Sequence, residues 1–266
     1  MRGLWRRSEF FLLEQFEVNI PSFNQQRVIR VYLPPNYKTT NKHFPVLYMH
    51  DGQYLFRDED TKQGVSWRIA EYLDKSGYEV IVVGIDCARG LGRVDEYGPW
   101  ENDFIRERIN GEKGIVGGLG DVYVDFIVNE LKPSIDKKYR TDTEDTSMAG
   151  SSMGGLITLY AACKYPTIFK KLACLSSAFW FNEEKLKKRI EMTDFDSIKK
   201  LYIDIGTNED TGRMSSEEYL ACNLWAYGLL KERVSKLKFT IVENGVHSGE
   251  AWRERFPRVI EFLYGG

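Results

Sequence analysis

Cysteine and histidine are scarce in this chain, neither sign of charge is in marked excess, and no long apolar run occurs. Only four cysteines stand among 266 residues. Cys87, Cys163, Cys174 and Cys222 are widely spaced and form no C-x-x-C pair, so no cysteine-based metal site is expected. Cys163 and Cys174 lie in apolar segments and read as buried free thiols, which suits a reducing, cytoplasmic compartment. No stretch of about eighteen apolar residues is present, so no membrane span is expected. At the N-terminus, Arg2, Arg6 and Arg7 are followed by apolar residues that Glu9 and Glu14 interrupt, a poor signal-peptide core. Lys and Arg total 37 against 39 Asp and Glu, a net charge of −2. That balance implies no strongly basic face, and nucleic acid is not an expected partner. The cluster Lys185, Lys187, Lys188 and Arg189 reads as the wet face of a helix that also carries Glu183, Glu184 and Glu191.

What is present is enough apolar material for a substantial core: 42% hydrophobic and 14% aromatic residues. A single domain over residues 1–266 is expected. Two alternating segments, 12–20 and 27–33, read as an antiparallel pair at the sheet edge. Residues 44–49 form an apolar strand ending in His50-Asp51-Gly52-Gln53. Residues 79–85 are a β-branched run suited to a central buried strand. Helices are expected at 66–75 and 121–135. Residues 86–120 read as a long, Gly-rich, irregular excursion. Beyond it, strands at 172–176, 201–205 and 238–242 alternate with helices over 156–164, 217–235 and 249–262 and with an aromatic turn followed by a charged helix over 179–192. Such alternation implies an α/β fold, a mostly parallel central sheet with helices on both faces and an N-terminal antiparallel hairpin.

The sharpest local signal is Gly150-Ser151-Ser152-Met153-Gly154-Gly155. It follows a short apolar approach and precedes a helical run, so it reads as strand, sharp turn, helix, with Ser152 at the apex of G-x-S-x-G. Glycines two residues either side let the chain pass close without a Cβ clash. With 23 glycines in the chain, a bare match arises by chance about 0.1 times, so the turn alone does not make a nucleophile. A serine hydroxyl needs a base, and the base an orienting carboxylate. In a strand–elbow–helix setting the chain order is serine, acid, histidine. Of three histidines, His43, His50 and His247, only His247 follows Ser152. It lies in the loop between the last strand and the last helix. The acid is sought after the strand at 201–205, in Gly206-Thr207-Asn208-Glu209-Asp210. Glu209 is preferred and Asp210 competes with it; Asp204, inside the strand, is a weaker choice.

An oxyanion hole needs two backbone N–H donors aimed at the developing charge. Met153, next to the nucleophile, supplies one, and the turn after the strand at 44–49 supplies the other through Gln53. Asp51 reads as structural, and His50 as a hydrogen-bonded neighbour of the site.

His50-Asp51-Gly52-Gln53, Glu96-Tyr97-Gly98-Pro99-Trp100, the serine turn and His247-Ser248-Gly249-Glu250-Ala251-Trp252 occur in that order. The set resembles the putative-esterase (esterase D-like) branch of the α/β-hydrolases, which includes enterochelin, feruloyl and acetylxylan esterases, S-formylglutathione hydrolases and mycolyltransferases. The resemblance runs from about Val18 to Leu263. It implies the α/β-hydrolase fold, Ser152 as nucleophile, His247 as base, and Met153 and Gln53 as oxyanion donors. It carries the acid over least securely, because some siderophore esterases of the family manage without one. It implies chemistry without metal or cofactor.

The excursion at 86–120 and the turn Phe179-Trp180-Phe181 follow strand ends, where a parallel sheet borders its crevice. Arg93, Tyr97, Trp100 and Trp180, with Arg89 and Glu96, are therefore candidate pocket residues. An aromatic wall suits an acyl or aryl group, and Arg89 and Arg93 suit an anionic substrate such as a catecholate. The expected activity is serine carboxylic-ester hydrolysis through an acyl-enzyme, on a small-molecule ester of siderophore, feruloyl or acetyl type. Acyl transfer from the same Ser-His site and a non-catalytic binding module are the alternatives. Homo-oligomer formation is left open.

Overall fold

A computed structural model describes residues 11–61 and 64–266. The N-terminal arginines lie outside the described residues. The chain opens with β1 (Leu12–Ile20) and β2 (Gln25–Leu33), which pair antiparallel in register from Leu12 against Leu33 to Ile20 against Gln25. Then follow β3 (Phe44–His50), α1 (Ile69–Ser76) and β4 (Ile81–Ile85). The next segment holds α2 (Leu91–Tyr97), β5 (Glu101–Asn102), α3 (Ile105–Asn110) and β6 (Val116–Gly117). After it come α4 (Gly120–Phe126), α5 (Lys132–Lys138), β7 (Thr141–Ser151), α6 (Met153–Lys164), β8 (Phe169–Leu175) and α7 (Glu183–Glu191). The chain ends with β9 (Lys200–Asn208), α8 (Ser216–Leu230), β10 (Leu237–Val246) and α9 (Gly249–Tyr264).

Eight strands form one sheet in the order β1-β2-β4-β3-β7-β8-β9-β10. β2 runs antiparallel to both its neighbours; from β4 to β10 every pairing is parallel. Successive strand side chains point to opposite faces, and two buried clusters follow. Val46 and Tyr48, Ile81 and Val83, Leu201 and Ile203 join Leu156 and Ala226 on one face. Leu47 and Met49, Val82 and Tyr202 join Leu73 and Phe256 on the other. Thus α1 and α9 cover one face, and α6 and α8 the other. β4 is buried along its whole length, as its unbroken Ile-Val-Val-Gly-Ile demands.

The sheet has a switch point between β3 and β7. β3 leads through α1 to β4 on one side, and β7 leads through α6 to β8 on the other. Crevices for ligands form outside the carboxyl ends of strands at such a point.

Three expectations change. The excursion at 86–120 carries α2, α3 and the small β5–β6 pair instead of irregular chain. These helices have seven and six residues, too short to display an apolar period. The helix expected at 121–135 is two helices joined by a π turn, Ile127–Leu131. Pro133 lies just beyond; it has no N–H to return to Asn129 and its ring crowds that carbonyl, so the wider turn relieves the clash. The helix expected from 66 begins at Ile69, because Arg68 is left-handed at φ 50°.

Candidate active site

β7 runs straight into the elbow. Ser152 has φ 57° and ψ −123°, a strained conformation for a residue with a Cβ. The turn is pinned on both sides. Ser152 N–H donates to Leu175 O at 2.9 Å, and Ser152 O accepts from Gly155 and Ala178 N–H at 3.0 Å. A Cβ on Gly150 would come within 2.6 Å of Gly154 carbonyl atoms, and one on Gly154 within 3.3 Å of the His50 Cβ. The glycines thus let α6 double back over β7 and sit against the end of β3.

β9 and β10 bring the other two candidates together. Gly206 and Gly245 face each other so closely that a Cβ on Gly206 would collide with the Gly245 carbonyl. Asn244 is left-handed at φ 56°, and its N–H donates to Thr207 Oγ1 at 2.8 Å. The register of β10 on β9 shifts between Val242 and Val246, and His247 emerges from this bulge over the carboxyl edge of the sheet. Glu209 follows directly on β9.

His247 Nε2 lies 3.0 Å from Ser152 Oγ, and His247 Nδ1 lies 2.7 Å from Glu209 Oε2. The other oxygen of Glu209 accepts from Ser176 Oγ at 2.6 Å and Gly206 N–H at 2.8 Å, with both Arg255 Nη groups at 3.4 Å. Glu209 is fully buried. Burial pushes its carboxyl pKa up, but the His247 and Ser176 hydrogen bonds outweigh it and hold the group below its ordinary value. Asp210 is exposed and accepts from Gly212 N–H at 2.6 Å; its side chain turns away from His247. Asp204 is buried against Arg255 at 3.2 Å. Burial dominates there and raises its pKa to about 6.

Sequence reasoning missed the support around this chain of groups. Ser176 accepts from Trp252 Nε1 at 3.0 Å and Arg255 Nη1 at 2.9 Å while donating to Glu209. The His247 ring sits between Trp252, edge-on at 4.9 Å, and Tyr219, tilted at 4.7 Å. Tyr219 is placed by a capping box, Ser215 with Glu218, that fixes the start of α8. Trp252 and Arg255 lie five and eight residues beyond His247, and that offset from a candidate base was the available signal. Nothing local marked Ser176 or Tyr219.

Of the two candidate oxyanion donors, Met153 opens α6, where helix N–H groups have no partner inside the helix. Gln53 lies in a tight turn, Gly52–Tyr54, whose own hydrogen bonds come from Tyr54 and Leu55 N–H. His50 is buried with Nδ1 3.0 Å from the Tyr123 hydroxyl. Burial pushes its pKa down to about 3, so its ring is neutral.

A cavity of about 740 Å³ opens onto Ser152 and His247. Leu55, Val65, Trp67 and Trp252 give it an apolar side, and Arg93, Arg213 and Glu250 contribute charge. Of the four pocket candidates, Arg93 lines it; the three aromatics are corrections. Tyr97 is fully buried, its hydroxyl accepting the Asp51 N–H at 3.0 Å. Trp100 packs edge-on against Tyr160 at 5.3 Å, and Trp180 edge-on against Tyr219 at 5.9 Å. Large rings beside a strand end gained more by closing the core than by facing water. Arg89 is exposed, and Glu96 is buried in a pair with Arg27. Among the described residues, no group of three or more His, Cys, Asp or Glu is placed to hold a metal, and no helix is long and apolar enough to cross a membrane.

A family model described as "Putative esterase" matches residues 20–263. The chain is 28% identical over 249 residues to an uncharacterized protein, YbbA, of Bacillus subtilis, covering 90% of this chain and 93% of that one. It is 22% identical over 189 residues to the ferri-bacillibactin esterase BesA of the same organism, covering 69% of this chain and 65% of that one. An IroE-like serine hydrolase from Shewanella oneidensis has the same fold, with a TM-score of 0.75 at 22% identity over 96% of this chain and 80% of that one.

Proposed function

The chain belongs to the putative-esterase family, and from that premise we propose that it is a serine carboxylic-ester hydrolase working through an acyl-enzyme on Ser152. Membership makes it an ester hydrolase; the nucleophile, the intermediate and the substrate class are the proposal. The observation that carries it is the unbroken hydrogen-bonded chain Ser152–His247–Glu209, closed at 3.0 and 2.7 Å.

His247 Nε2 takes the Ser152 proton as Oγ attacks the ester carbonyl. Glu209 holds the proton on Nδ1, fixes the tautomer and offsets the charge of the imidazolium. The oxyanion is met by the N–H groups of Met153 and Gln53. The intermediate collapses, the carbon–oxygen bond to the alcohol breaks, and His247 returns its proton to the leaving oxygen. Water then adds by the same route, giving the acid and free Ser152. No step needs a metal or a cofactor.

The Trp67 and Trp252 rings, 6.0 Å apart, suit an aryl or small acyl group, and the Arg213 guanidinium at the cavity favours an anionic one. A siderophore-type ester is favoured by the likeness to BesA; feruloyl and acetyl esters fit the same cavity. The family match over residues 20–263 supports one α/β-hydrolase domain, and four free cysteines support a reducing, cytoplasmic setting. The test is a panel of p-nitrophenyl and aryl esters. Wild type should turn them over, and Ser152→Ala should lose several powers of ten in kcat; equal turnover by the two would refute the assignment.

A further inference from the structure

Arg93 lines the cavity, yet its strongest bonds are made to the protein. Its Nε and Nη2 donate to the two oxygens of Asp51 at 2.6 and 2.8 Å. This is the bidentate fork that fixes a carboxylate in orientation as well as position. Asp51 is the residue directly after β3, and it is left-handed, at φ 60° and ψ 44°. A left-handed aspartate persists only where its surroundings hold it. Here two contacts hold Asp51 itself and a third holds the turn that follows it. Arg93 takes the carboxylate, and the Tyr97 hydroxyl takes the backbone N–H at 3.0 Å. Two residues on, the Gln53 side chain accepts from Cys87 N–H at 3.1 Å and donates to Cys87 Sγ at 3.0 Å. Gly52, between them, is pressed onto β4, where a Cβ would lie 2.7 Å from the Gly84 carbonyl carbon. Every one of these anchors comes from β4 or the segment just after it. That segment is itself moored by the buried Arg27–Glu96 pair, closed at 2.5 and 2.9 Å.

We propose that Arg93 is a positioning residue of the oxyanion hole: its grip on Asp51 holds the turn that aims the Gln53 N–H at the carbonyl oxygen of the substrate. This rests on the reading of Ser152 as an esterase nucleophile. It reverses the expectation that Arg93 binds an anionic substrate. A guanidinium already paired through two of its nitrogens with a buried carboxylate has little net charge to offer a ligand. Arg213, exposed at the cavity and without a carboxylate partner among the described residues, is the cation left for that role.

The test compares wild type, Arg93→Lys, Arg93→Met and Asp51→Asn on neutral p-nitrophenyl butyrate and on an anionic p-nitrophenyl hemisuccinate. Inhibition by a trifluoromethyl ketone, which forms a tetrahedral oxyanion adduct with a serine, is measured alongside. Arg93→Met should lower kcat about 100-fold on both esters, the scale of losing one oxyanion donor, with KM within about threefold. The inhibition constant should rise in parallel, because the adduct needs the same hole. Arg93→Lys should fall between, having charge without the fork. If Arg93→Met does not fold, Asp51→Asn, which leaves no buried carboxylate unpaired, carries the test, with kcat about tenfold down. Unchanged kcat in the folded variants, or a rise in KM confined to the anionic ester, would overturn the proposal. Wild type that hydrolyses no ester would instead overturn the parent reading.

Discussion

Glu209 is the residue on which the site turns. Its neighbour Asp210 has the same charge and lies one position away, and composition cannot choose between them. Geometry can. Consecutive residues leaving a strand point to opposite sides, so only one of the two can face His247. In the structure Glu209 does, fully buried and met by donors on both oxygens, while Asp210 folds back on Gly212 N–H. Glu209→Gln should therefore lower kcat by about 10² to 10⁴, since it loses the charge that holds the tautomer. Asp210→Asn should stay within about twofold of wild type. Steady-state kinetics of both on one aryl ester decide the matter. The same limit explains why Tyr97, Trp100 and Trp180 were misplaced. Their position after strand ends could be read along the chain. The direction of each ring depends on contacts with Tyr123, Tyr160 and Tyr219, far away in sequence.

At the scale of elements, β7 and α6 form the elbow, and their close approach is built from glycine. Gly150 stands where any Cβ meets the first turn of α6. Gly150→Ala forces strand and helix apart, because the Gly154 atoms it would meet are backbone and cannot swing away. The variant should lose at least about 2 kcal/mol of stability by the overpacking it creates, and activity with it, because Ser152 would shift relative to His247. Thermal unfolding and ester turnover on the purified variant check this; wild-type values in both would contradict it. The elbow was legible in the sequence because its chemistry is local: glycine spacing, a strand before, a helix after. α2 and α3 were not, because helices of two turns show no period and owe their place to tertiary bonds such as Arg27 with Glu96. The π turn before Pro133 escaped for a related reason. A proline marks a disturbance in a helix, but whether the chain stops or widens depends on what packs around it.

At the scale of the whole molecule, the eight-stranded sheet with a core on each face was legible from the alternation of strands and helices, since period-2 burial on a sheet is a rule of geometry. The buried charge between the faces was not. Asp204, Glu209 and Arg255 put two carboxylates beside one guanidinium. Asp204 bears the cost, with its pKa raised by burial from 3.8 to about 6. A folded-state pKa above the unfolded one means that the folded protein binds this proton more tightly. Its contribution to stability is present at pH 4 and lost as the pH rises through about 6. Asp204→Asn removes that loss. The unfolding free energy of the variant, relative to wild type, should improve by up to roughly 3 kcal/mol between pH 4 and pH 7. Denaturant titrations at the two pH values measure it, and a difference that does not change with pH would contradict the buried-charge account.

If Ser152 carries the acyl group, intact-protein mass spectrometry of enzyme quenched in acid after milliseconds with a p-nitrophenyl ester, followed by peptide mapping, will show it there. One acyl mass should be added per chain, on the peptide holding Ser152, absent in Ser152→Ala and accumulating with the release of p-nitrophenol. Acylation at any other residue, or a Ser152→Ala variant that still forms the adduct and turns over at the wild-type rate, would contradict it.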